Sequence, residues 1–460
     1  LKSAQRSVEV YSSGRWPAMA SEEKAERAGS MQAPLQIADR ISAQGMLSDI
    51  WETPRVLRQL IQAHLKDGKV DIPGLRKPLP EAHGLAGKSP LEILAACSQS
   101  RMSEKGFCHR LTVIGSGTSW HAAILAEYLI ETMARIPVES QYASEFRYRE
   151  PTLRTGDVLV VVSMSGETTD AVEALRRVRN SPSGTGVLTI AIVNQLDSTL
   201  ARECDFVLDV CAGQGVGVAS TKTFSATNMM FVLLSLALAD ECGQIGAERE
   251  SLVQRLQELP DSMQEVLDKE AKPLVTEVGD RSIEIGECPL WDIGCQNVLA
   301  RNFIFLGRGF NFPIALEGAM KCKELAYIHA EGYPAAEMKH GPIALIDEFM
   351  PVVVICPKAD ATYEKIKSNI EEVRARNGAT IAITEKHNHE LEKLCEYVIG
   401  VPETHEYLMP LLAMLPLQLL AYMMGILKGN AVDAPRGLVK SVSVSVKADS
   451  SPPGGYVASY

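Results

Sequence analysis

The sequence lacks both an excess of basic residues and paired cysteines. Its 460 residues contain 46 Lys and Arg against 57 Asp and Glu, and the net charge is −11. This balance argues against a nucleic-acid partner, because phosphate backbones are bound by basic surfaces. The ten cysteines form no CxxC pair and no Cys/His spacing that suits zinc. We therefore expect no metal site and a reducing, cytoplasmic setting.

A secretory signal is also missing, and long uncharged runs are rare. Residues 1–45 have no apolar core of the kind a signal peptide needs, and their Ser, Ala, Arg and Glu content predicts a disordered or linker segment. Residues 407–427 carry no charge and pass the length test for a membrane span. Pro410 and Pro416 within that run favour a buried core helix instead. The shorter run at 223–239 has the same interpretation, so we expect no membrane contact.

The sequence contains one unit twice, with a shift of about 192 residues. The segment 113–129 (VIGSGTSWHAAILAEYL) aligns with 305–321 (FLGRGFNFPIALEGAMK), and each has a pair of glycines near its start. TIAIV (189–193) likewise superposes on TIAIT (380–384). Matches held in one register over a long stretch predict two copies of one structural unit.

The strands of both copies are short β-branched runs without alternation. Such runs are typical of parallel sheets covered by helices on both faces, so we predict an α/β fold with two doubly wound domains. A chain of this length has room for two or three domains. The expected divisions are a disordered or linker segment (1–45), a helical leading arm with a helix near 53–66 (46–94), a first domain (95–240), a linker helix (241–289), a second domain (290–445) and a flexible tail (446–460).

One strand of the first copy ends in a hydroxyl-rich loop that opens a helical pattern: Ser163-Met164-Ser165-Gly166-Glu167-Thr168. The free N–H groups and the dipole of a helix N-terminus favour an anion, and glycine lets the backbone approach it closely. The ordinary alternative is a helix cap with serines in a turn. Because ligands of open α/β sheets bind at the carboxyl ends of strands, we favour a phosphate site.

Two further turns of the first copy carry hydroxyl groups. The turn Gly115-Ser116-Gly117-Thr118-Ser119 joins a strand to a helix but lacks GxGxxG spacing, so a dinucleotide site is disfavoured. Its hydroxyls either bind ligand oxygens or cap the helix. The run Val218-Ala219-Ser220-Thr221-Lys222 precedes a long apolar helix and could place Ser220 near the same crevice.

Candidates for acid–base and amine chemistry lie in the second copy and after it. Glu317, Lys321 and Glu324 share one helical face, where surface salt bridging is the usual explanation. Their surroundings are largely apolar, however, and a carboxylate removed from water there could act as a base. His340 lies in a loop, and a loop histidine is structural more often than catalytic. Lys440 is either a solvated lysine or an amine that forms a Schiff base.

Four segments together resemble one enzyme family: SMSGETTD (163–170), GVASTKTF (217–224), ALEGAMKCKELAYIHAEGYPAAEMKHGP (315–342) and DAPRGLVKSV (433–442). They are similar to the isomerase half of glutamine–fructose-6-phosphate aminotransferases (isomerising), also called glucosamine-6-phosphate synthases. The resemblance runs from about residue 46 to 445. It implies tandem sugar isomerase (SIS) domains in a homodimer and conversion of fructose 6-phosphate to glucosamine 6-phosphate, without a metal or organic cofactor.

The resemblance also implies a role for each candidate residue. The sugar phosphate would be bound by the loop residues Ser163, Met164, Ser165 and Thr168. The sugar pocket would be lined by Thr118, Ser119, Val218 and Ser220. The chemistry would be carried out by Lys440 as the Schiff-base amine, Glu324 as the base that moves a proton between C1 and C2, Lys321 as its assistant, and His340 of the partner subunit as the group that opens the sugar ring.

The sequence departs from the family pattern in several places. Met164 stands where the family usually has Gln, which removes one hydrogen-bonding side chain from the loop. Gly215 replaces a customary Glu and is expected to loosen the loop beside Ser220, and the tail continues to Tyr460. Residues 1–45 have no globular character that would match the family's N-terminal glutaminase domain. We therefore expect nitrogen from ammonia or from a glutaminase on another chain.

Two alternatives to this function remain. One is a free-standing SIS-type amino-sugar-phosphate isomerase or deglycase, which the long match at 313–345 disfavours. The other is a sugar-phosphate-binding regulator without catalysis, which predicts damage at Glu324, Lys440 or His340. All three residues are present, so the sequence favours the enzyme.

Overall fold

The computed structural model describes residues 45–98, 109–149, 151–182, 184–271 and 289–438. The strands are β1 Leu65–Lys66, β2 Lys69–Val70, β3 Leu111–Gly115, β4 Val138–Tyr142, β5 Val158–Val162, β6 Leu188–Val193, β7 Phe206–Asp209, β8 Asn302–Gly307, β9 His329–Pro334, β10 Val352–Ile355, β11 Thr380–Glu385 and β12 Tyr397–Val401. The α-helices are α1 Met46–His64, α2 Pro90–Ala95, α3 Thr118–Ala134, α4 Ala143–Tyr148, α5 Thr169–Arg179, α6 Thr199–Glu203, α7 Lys222–Cys242, α8 Glu248–Glu270, α9 Pro289–Asn297, α10 Phe312–Ala326, α11 Tyr363–Arg374, α12 His389–Leu394 and α13 Met409–Leu427. Short 3₁₀ turns lie at Gly184–Gly186, Gly309–Asn311, Glu337–His340 and Pro342–Leu345.

Two five-stranded parallel sheets form the framework. The first has the order β4-β3-β5-β6-β7, and the second repeats it as β9-β8-β10-β11-β12. The predicted fold of two doubly wound α/β units is confirmed. In each sheet the direction of winding reverses between two neighbouring strands. These are β3 and β5 in the first sheet, and β8 and β10 in the second. Ligands of such sheets bind in the crevice at the carboxyl ends of those two strands.

The central strands are buried on both faces, as their uninterrupted apolar sequences require. Every residue of β3, β5, β6 and β11 is buried. One continuous apolar core contains one face of both sheets together with α3, α7, α10 and α13. The other face of each sheet has one smaller core of its own. The shared core brings α3 of the first copy against α10 of the second.

Among the residues that the structure describes, two helices are long and apolar enough to cross a membrane by length and composition, α7 and α13. Most of each helix is buried within the protein, 89% and 94% of the tested residues. In the structure α7 packs against α3 and α13 packs against α10. The prediction that both apolar runs are core helices is confirmed.

Helix α1 begins at Met46, earlier than the helix that the sequence predicted near 53–66. Its first turn makes contacts that the sequence pattern did not indicate. The Asp433 carboxylate accepts a hydrogen bond from the Met46 backbone N–H at 2.7 Å. The Asp433 carbonyl accepts another from the Val218 N–H at 3.1 Å. The start of the leading arm, the loop before α7 and the segment after α13 therefore meet at one point.

Asp49 of α1 fixes the same loop from a second side. One oxygen of its carboxylate accepts hydrogen bonds from the N–H groups of Val216 and Gly217, at 2.8 and 2.9 Å. Its other oxygen lies 3.0 Å from the buried ammonium of Lys222, the first residue of α7. The loop that contains Gly215 is thus anchored immediately after that glycine.

Candidate active site

The hydroxyl-rich loop of the first copy lies at the predicted crevice, between β5 and α5. The Oγ of Ser163 lies 2.8 Å from the Oγ1 of Thr168 and accepts a hydrogen bond from the Gly166 N–H at 3.1 Å. The Oγ of Ser165 accepts one from the Glu167 N–H at 3.2 Å. Thr168 occupies the N-cap position of α5 but makes no side-chain cap hydrogen bond. The helix N-terminus is therefore left without a side-chain cap, as an anion site requires.

Gly166 is required in this loop for two reasons. Its φ of +65° lies in the left-handed region, and a Cβ at this position would come within 2.0 Å of the Ser198 Oγ. The neighbouring Glu167 carboxylate holds the loop against α6, because it accepts hydrogen bonds from the Thr199 N–H at 2.6 Å and the Thr199 hydroxyl at 2.8 Å. The loop is thus fixed in one conformation before any ligand binds.

Met164 has a different environment from the loop's hydroxyl groups. Its side chain packs against the shared core, and its sulfur lies 3.1 Å from the hydroxyl of Thr227 on α7. The side chain is therefore directed at α7. Any contribution of Met164 to anion binding would come from its backbone.

The four predicted sugar-pocket residues lie on two segments, the start of α3 and the loop before α7. Ser119 is buried in the first turn of α3, and the Thr118 hydroxyl beside it donates to Glu317 at 3.0 Å. The Ser220 Oγ lies 2.6 Å from the hydroxyl of Thr223. Val218 is held by Asp433 as described above. Thr118 thus reaches the second copy through its side chain, whereas Val218 reaches Asp433 through its backbone N–H.

A buried charged network joins the two copies. The Nζ of Lys321 lies 3.1 Å from Oε1 of Glu317 and 2.5 Å from Oε2 of Glu324. The Nδ1 of His121, on α3, lies 2.6 Å from Oε2 of Glu317. Glu317 and Lys321 are fully buried, whereas the Glu324 side chain is 21% exposed. Three successive contacts therefore lead from Thr118 to Glu324.

The charges of this network follow from its contacts. Burial alone would raise the pKa of Glu317, but the Lys321 ammonium and the hydrogen bond with His121 lower it to about 2. Burial opposes the charge on Lys321, yet Glu317 and Glu324 together raise the pKa of this ammonium above its ordinary value. Glu317 is therefore an ionised counter-ion at neutral pH and a poor base. For Glu317, Lys321 and Glu324 the usual explanation was a surface salt bridge. The triplet lies in the core instead, and Glu324 is its accessible carboxylate.

Of the two remaining catalytic candidates, the structure describes His340. His340 is exposed at the end of the 3₁₀ turn Glu337–His340. No hydrogen bond or ion pair joins His340 to another candidate residue within the described part of the chain. Lys440 lies outside the described residues.

The crevice of the second copy has the opposite electrostatic character. In the loop of this crevice, the backbone N–H groups of Lys358 and Ala359 donate hydrogen bonds to the carboxylate of Glu385. A small cavity beside them is lined by Asp360 and Glu406 as well as Glu385. An internal carboxylate thus takes the donors that would otherwise face a ligand anion, and further carboxylates would repel one. The two copies share a fold but present different chemistry.

His121 is the site residue that the sequence reasoning missed. Its signal was its position, one helical turn after Thr118 on the same face of α3. Glu317 was recognised only as part of a charged triplet. Its link to the first copy could not be read from spacing, because the partners are 196 residues apart.

Comparison with known proteins agrees with this architecture. The family model for the SIS domain matches residues 108–237 and 299–428. The chain is 42% identical over 403 residues to the glutamine–fructose-6-phosphate aminotransferase (isomerising) of Chlorobaculum tepidum, and 40% identical over 402 residues to that of Thermus thermophilus. Each match covers 87% of this chain and 58% of the relative, so the chain spans little more than half of their length.

A solved structure gives the same result. The C-terminal domain of glucosamine-fructose-6-phosphate aminotransferase from Francisella tularensis superposes with a TM-score of 0.71 at 31% identity. The match covers 85% of this chain and 97% of that domain. The chain therefore belongs to the SIS-domain family and, within it, to the group formed by the C-terminal isomerase domains of glutamine–fructose-6-phosphate aminotransferases.

Proposed function

We propose that this chain converts fructose 6-phosphate and ammonia into glucosamine 6-phosphate and water. The nitrogen would come from free ammonia or from ammonia that a glutaminase releases. The observation that carries the proposal is the path from the sugar-pocket hydroxyl of Thr118 through Glu317 and Lys321 to the accessible carboxylate of Glu324. It supports the assignment of Glu324 as a base of the second copy that acts on a ligand held by the first. The names of the relatives support the same reaction.

In this proposal the first copy holds the substrate. Ser163, Ser165 and Thr168 bind the phosphate together with the N-terminus of α5, whose dipole favours an anion. Thr118, Ser119, Val218 and Ser220 line the sugar. The rigid loop around Gly166 supports this role, because a preorganised site loses little entropy when the phosphate binds.

The second copy carries out the proton transfer. Water leaves when C2 of the open-chain ketose forms a Schiff base with Lys440, and ammonia then adds to C2 and displaces the lysine amine, which gives an imine. Glu324 then removes a proton from C1 while the imine nitrogen takes up a proton from solvent, which gives an enamine. When Glu324 returns its proton to C2, the C1 hydroxyl loses its proton to solvent, so that C1 becomes the aldehyde and C2 keeps the amine. The ammonium of Lys321, 2.5 Å from Glu324, holds this carboxylate in place. Without nitrogen the same proton transfer would interconvert fructose and glucose 6-phosphates.

Two further groups complete the proposal. Lys440 holds the ketose as a Schiff base before nitrogen replaces it, and no organic cofactor or metal takes part. His340 opens the sugar ring of a neighbouring subunit in a homodimer. Its exposure and its separation from the other candidates in the described residues support a role outside its own subunit. We propose the cytoplasm as the site of the reaction.

The test is turnover by the purified chain. With fructose 6-phosphate and ammonium we expect glucosamine 6-phosphate, and without ammonium a slower formation of glucose 6-phosphate, both measured by NMR of the reaction mixture. Formation of neither sugar would contradict the proposal. Binding of fructose 6-phosphate without either product would favour a sugar-phosphate-binding regulator. Release of ammonia from glucosamine 6-phosphate without the forward reaction would favour a deglycase.

A further inference from the structure

We propose that His121 is a positioning residue that holds Glu324 in place for proton transfer, although it belongs to the other copy of the repeat. The proposal rests on the proposed function, in which Glu324 is the base. His121 acts through Glu317 and Lys321. It therefore does not need to touch the substrate.

The hydrogen bonds of the Glu317 carboxylate are divided unequally between its oxygens. Oε1 accepts from the Thr118 hydroxyl at 3.0 Å and lies 3.1 Å from the Lys321 ammonium. Within the described chain, Oε2 has a single hydrogen-bond partner, the Nδ1 of His121 at 2.6 Å. Since an ionised carboxylate only accepts hydrogen bonds, Nδ1 carries the proton. His121 thus sets the rotation of the carboxylate about its last bond.

That rotation decides how Lys321 is shared between two carboxylates. With Oε2 held by His121, Glu317 offers one oxygen to the ammonium, and the remaining donors of Lys321 reach Glu324 at 2.5 Å. If Oε2 were released, both oxygens of Glu317 could turn to Lys321, because a buried oxygen without a donor is costly. The ammonium would then be drawn toward Glu317. Glu324 would lose the contact that positions it.

The position of His121 adds a second consequence. It lies on α3, one turn after Thr118, whereas Glu317 and Lys321 lie on α10. The contact therefore fixes the two copies against each other at the level of the site. Reacting groups must be held within a fraction of an ångström, and small displacements of a base lower its rate strongly. A change at His121 should accordingly lower the rate of proton transfer more than it lowers substrate affinity.

The experiment compares His121→Leu with His121→Asn. Leucine removes the donor. Asparagine keeps a nitrogen bonded to Cγ, as Nδ1 is in histidine, so its amide can donate to Oε2 of Glu317. Two rates are measured for each variant: steady-state turnover of fructose 6-phosphate, and exchange of the C1 hydrogen with D2O by NMR. Circular dichroism melts check that each variant is folded, and His389→Leu on the exposed face of α12 is the control.

We expect His121→Leu to lower both kcat and the C1 exchange rate by about tenfold with KM within about twofold, and His121→Asn to recover both rates to within about threefold of wild type. If the leucine variant does not fold, His121→Gln replaces it, because its amide lies one bond farther from Cα than Nδ1 does. A leucine variant as fast as wild type, or an asparagine variant as slow as leucine, would overturn the proposal. If the wild type is active, either of these results would overturn only the role of His121 and leave the proposed function intact. An inactive wild type would overturn both the role of His121 and the proposed function.

Discussion

The phosphate loop offers a sharp test of the structure through Gly166→Ala. Gly166 has a φ of +65°, and an added Cβ would lie 2.0 Å from the Oγ and 2.4 Å from the Cβ of Ser198. The left-handed conformation costs an alanine about 1–2 kcal/mol. The clash adds roughly 1–3 kcal/mol more, since overpacking of a rigid site forces the backbone to shift. We expect a total loss in the free energy of unfolding of about 2–5 kcal/mol.

The matched control is Gly243→Ala at the end of α7. Gly243 has the same φ of +65°, but nothing lies within 4 Å of the position of its Cβ. This variant carries the conformational cost of about 1–2 kcal/mol without the clash. Comparison of the two separates the strain of the backbone from the steric conflict.

The assay combines denaturant unfolding with the KM for fructose 6-phosphate. For Gly166→Ala we expect KM to rise by about tenfold or more, because the displaced loop no longer presents its hydroxyls and the α5 N-terminus to the phosphate. For Gly243→Ala we expect an unchanged KM. If both variants lost the same stability and kept the same KM, our description of the loop as a rigid phosphate site would be refuted.

Three further predictions concern the network, the loop and the junction with α1. Glu317→Gln should lower the free energy of unfolding by about 3 kcal/mol at pH 7, because it removes one partner of a buried ion pair. Folding lowers the pKa of Glu317 from an ordinary 4.5 to about 2. The contribution of the ion pair to the free energy of unfolding is therefore present above pH 4.5 and is lost as the pH falls toward 2. Denaturant curves of variant and wild type should accordingly converge in acid. Met164→Gln should leave KM for fructose 6-phosphate within about twofold, because this side chain faces α7, and a tenfold change would contradict that placement. Asp433→Ala should cost about 1 kcal/mol in denaturant unfolding, the usual value of a helix cap, whereas the exposed Asp71→Ala should cost almost nothing.

The fold was predictable from the sequence because its signals are local and repeated. The runs that form β5, β6, β10 and β11 are short, β-branched and without alternation, which is what a sheet covered on both faces requires. The shift of the glycine pairs by 192 residues showed that the unit occurs twice. The start of α1 was predicted too late, since its first turn is capped by Asp433, a residue 387 positions away.

The site was predictable only where its residues follow a strand end. The loop Ser163–Thr168 and the turn before α3 come directly after β5 and β3, so their place at the crevice follows from the topology. The network at Glu317 is a contact between two copies, and no periodicity within one copy indicates it. The burial that turns an apparent surface triplet into a buried ion pair also comes from that contact. The spacing of the three charged residues alone favoured a salt bridge on the surface.

We propose that the two copies have different tasks: the first copy binds the sugar phosphate and the second transforms it. The most direct measurement is calorimetric binding of fructose 6-phosphate to Glu324→Gln, with turnover measured on the same preparation. We expect the dissociation constant to stay within about threefold of wild type while turnover falls by at least about a hundredfold. Loss of binding with this substitution, or turnover near the wild-type rate, would contradict the claim.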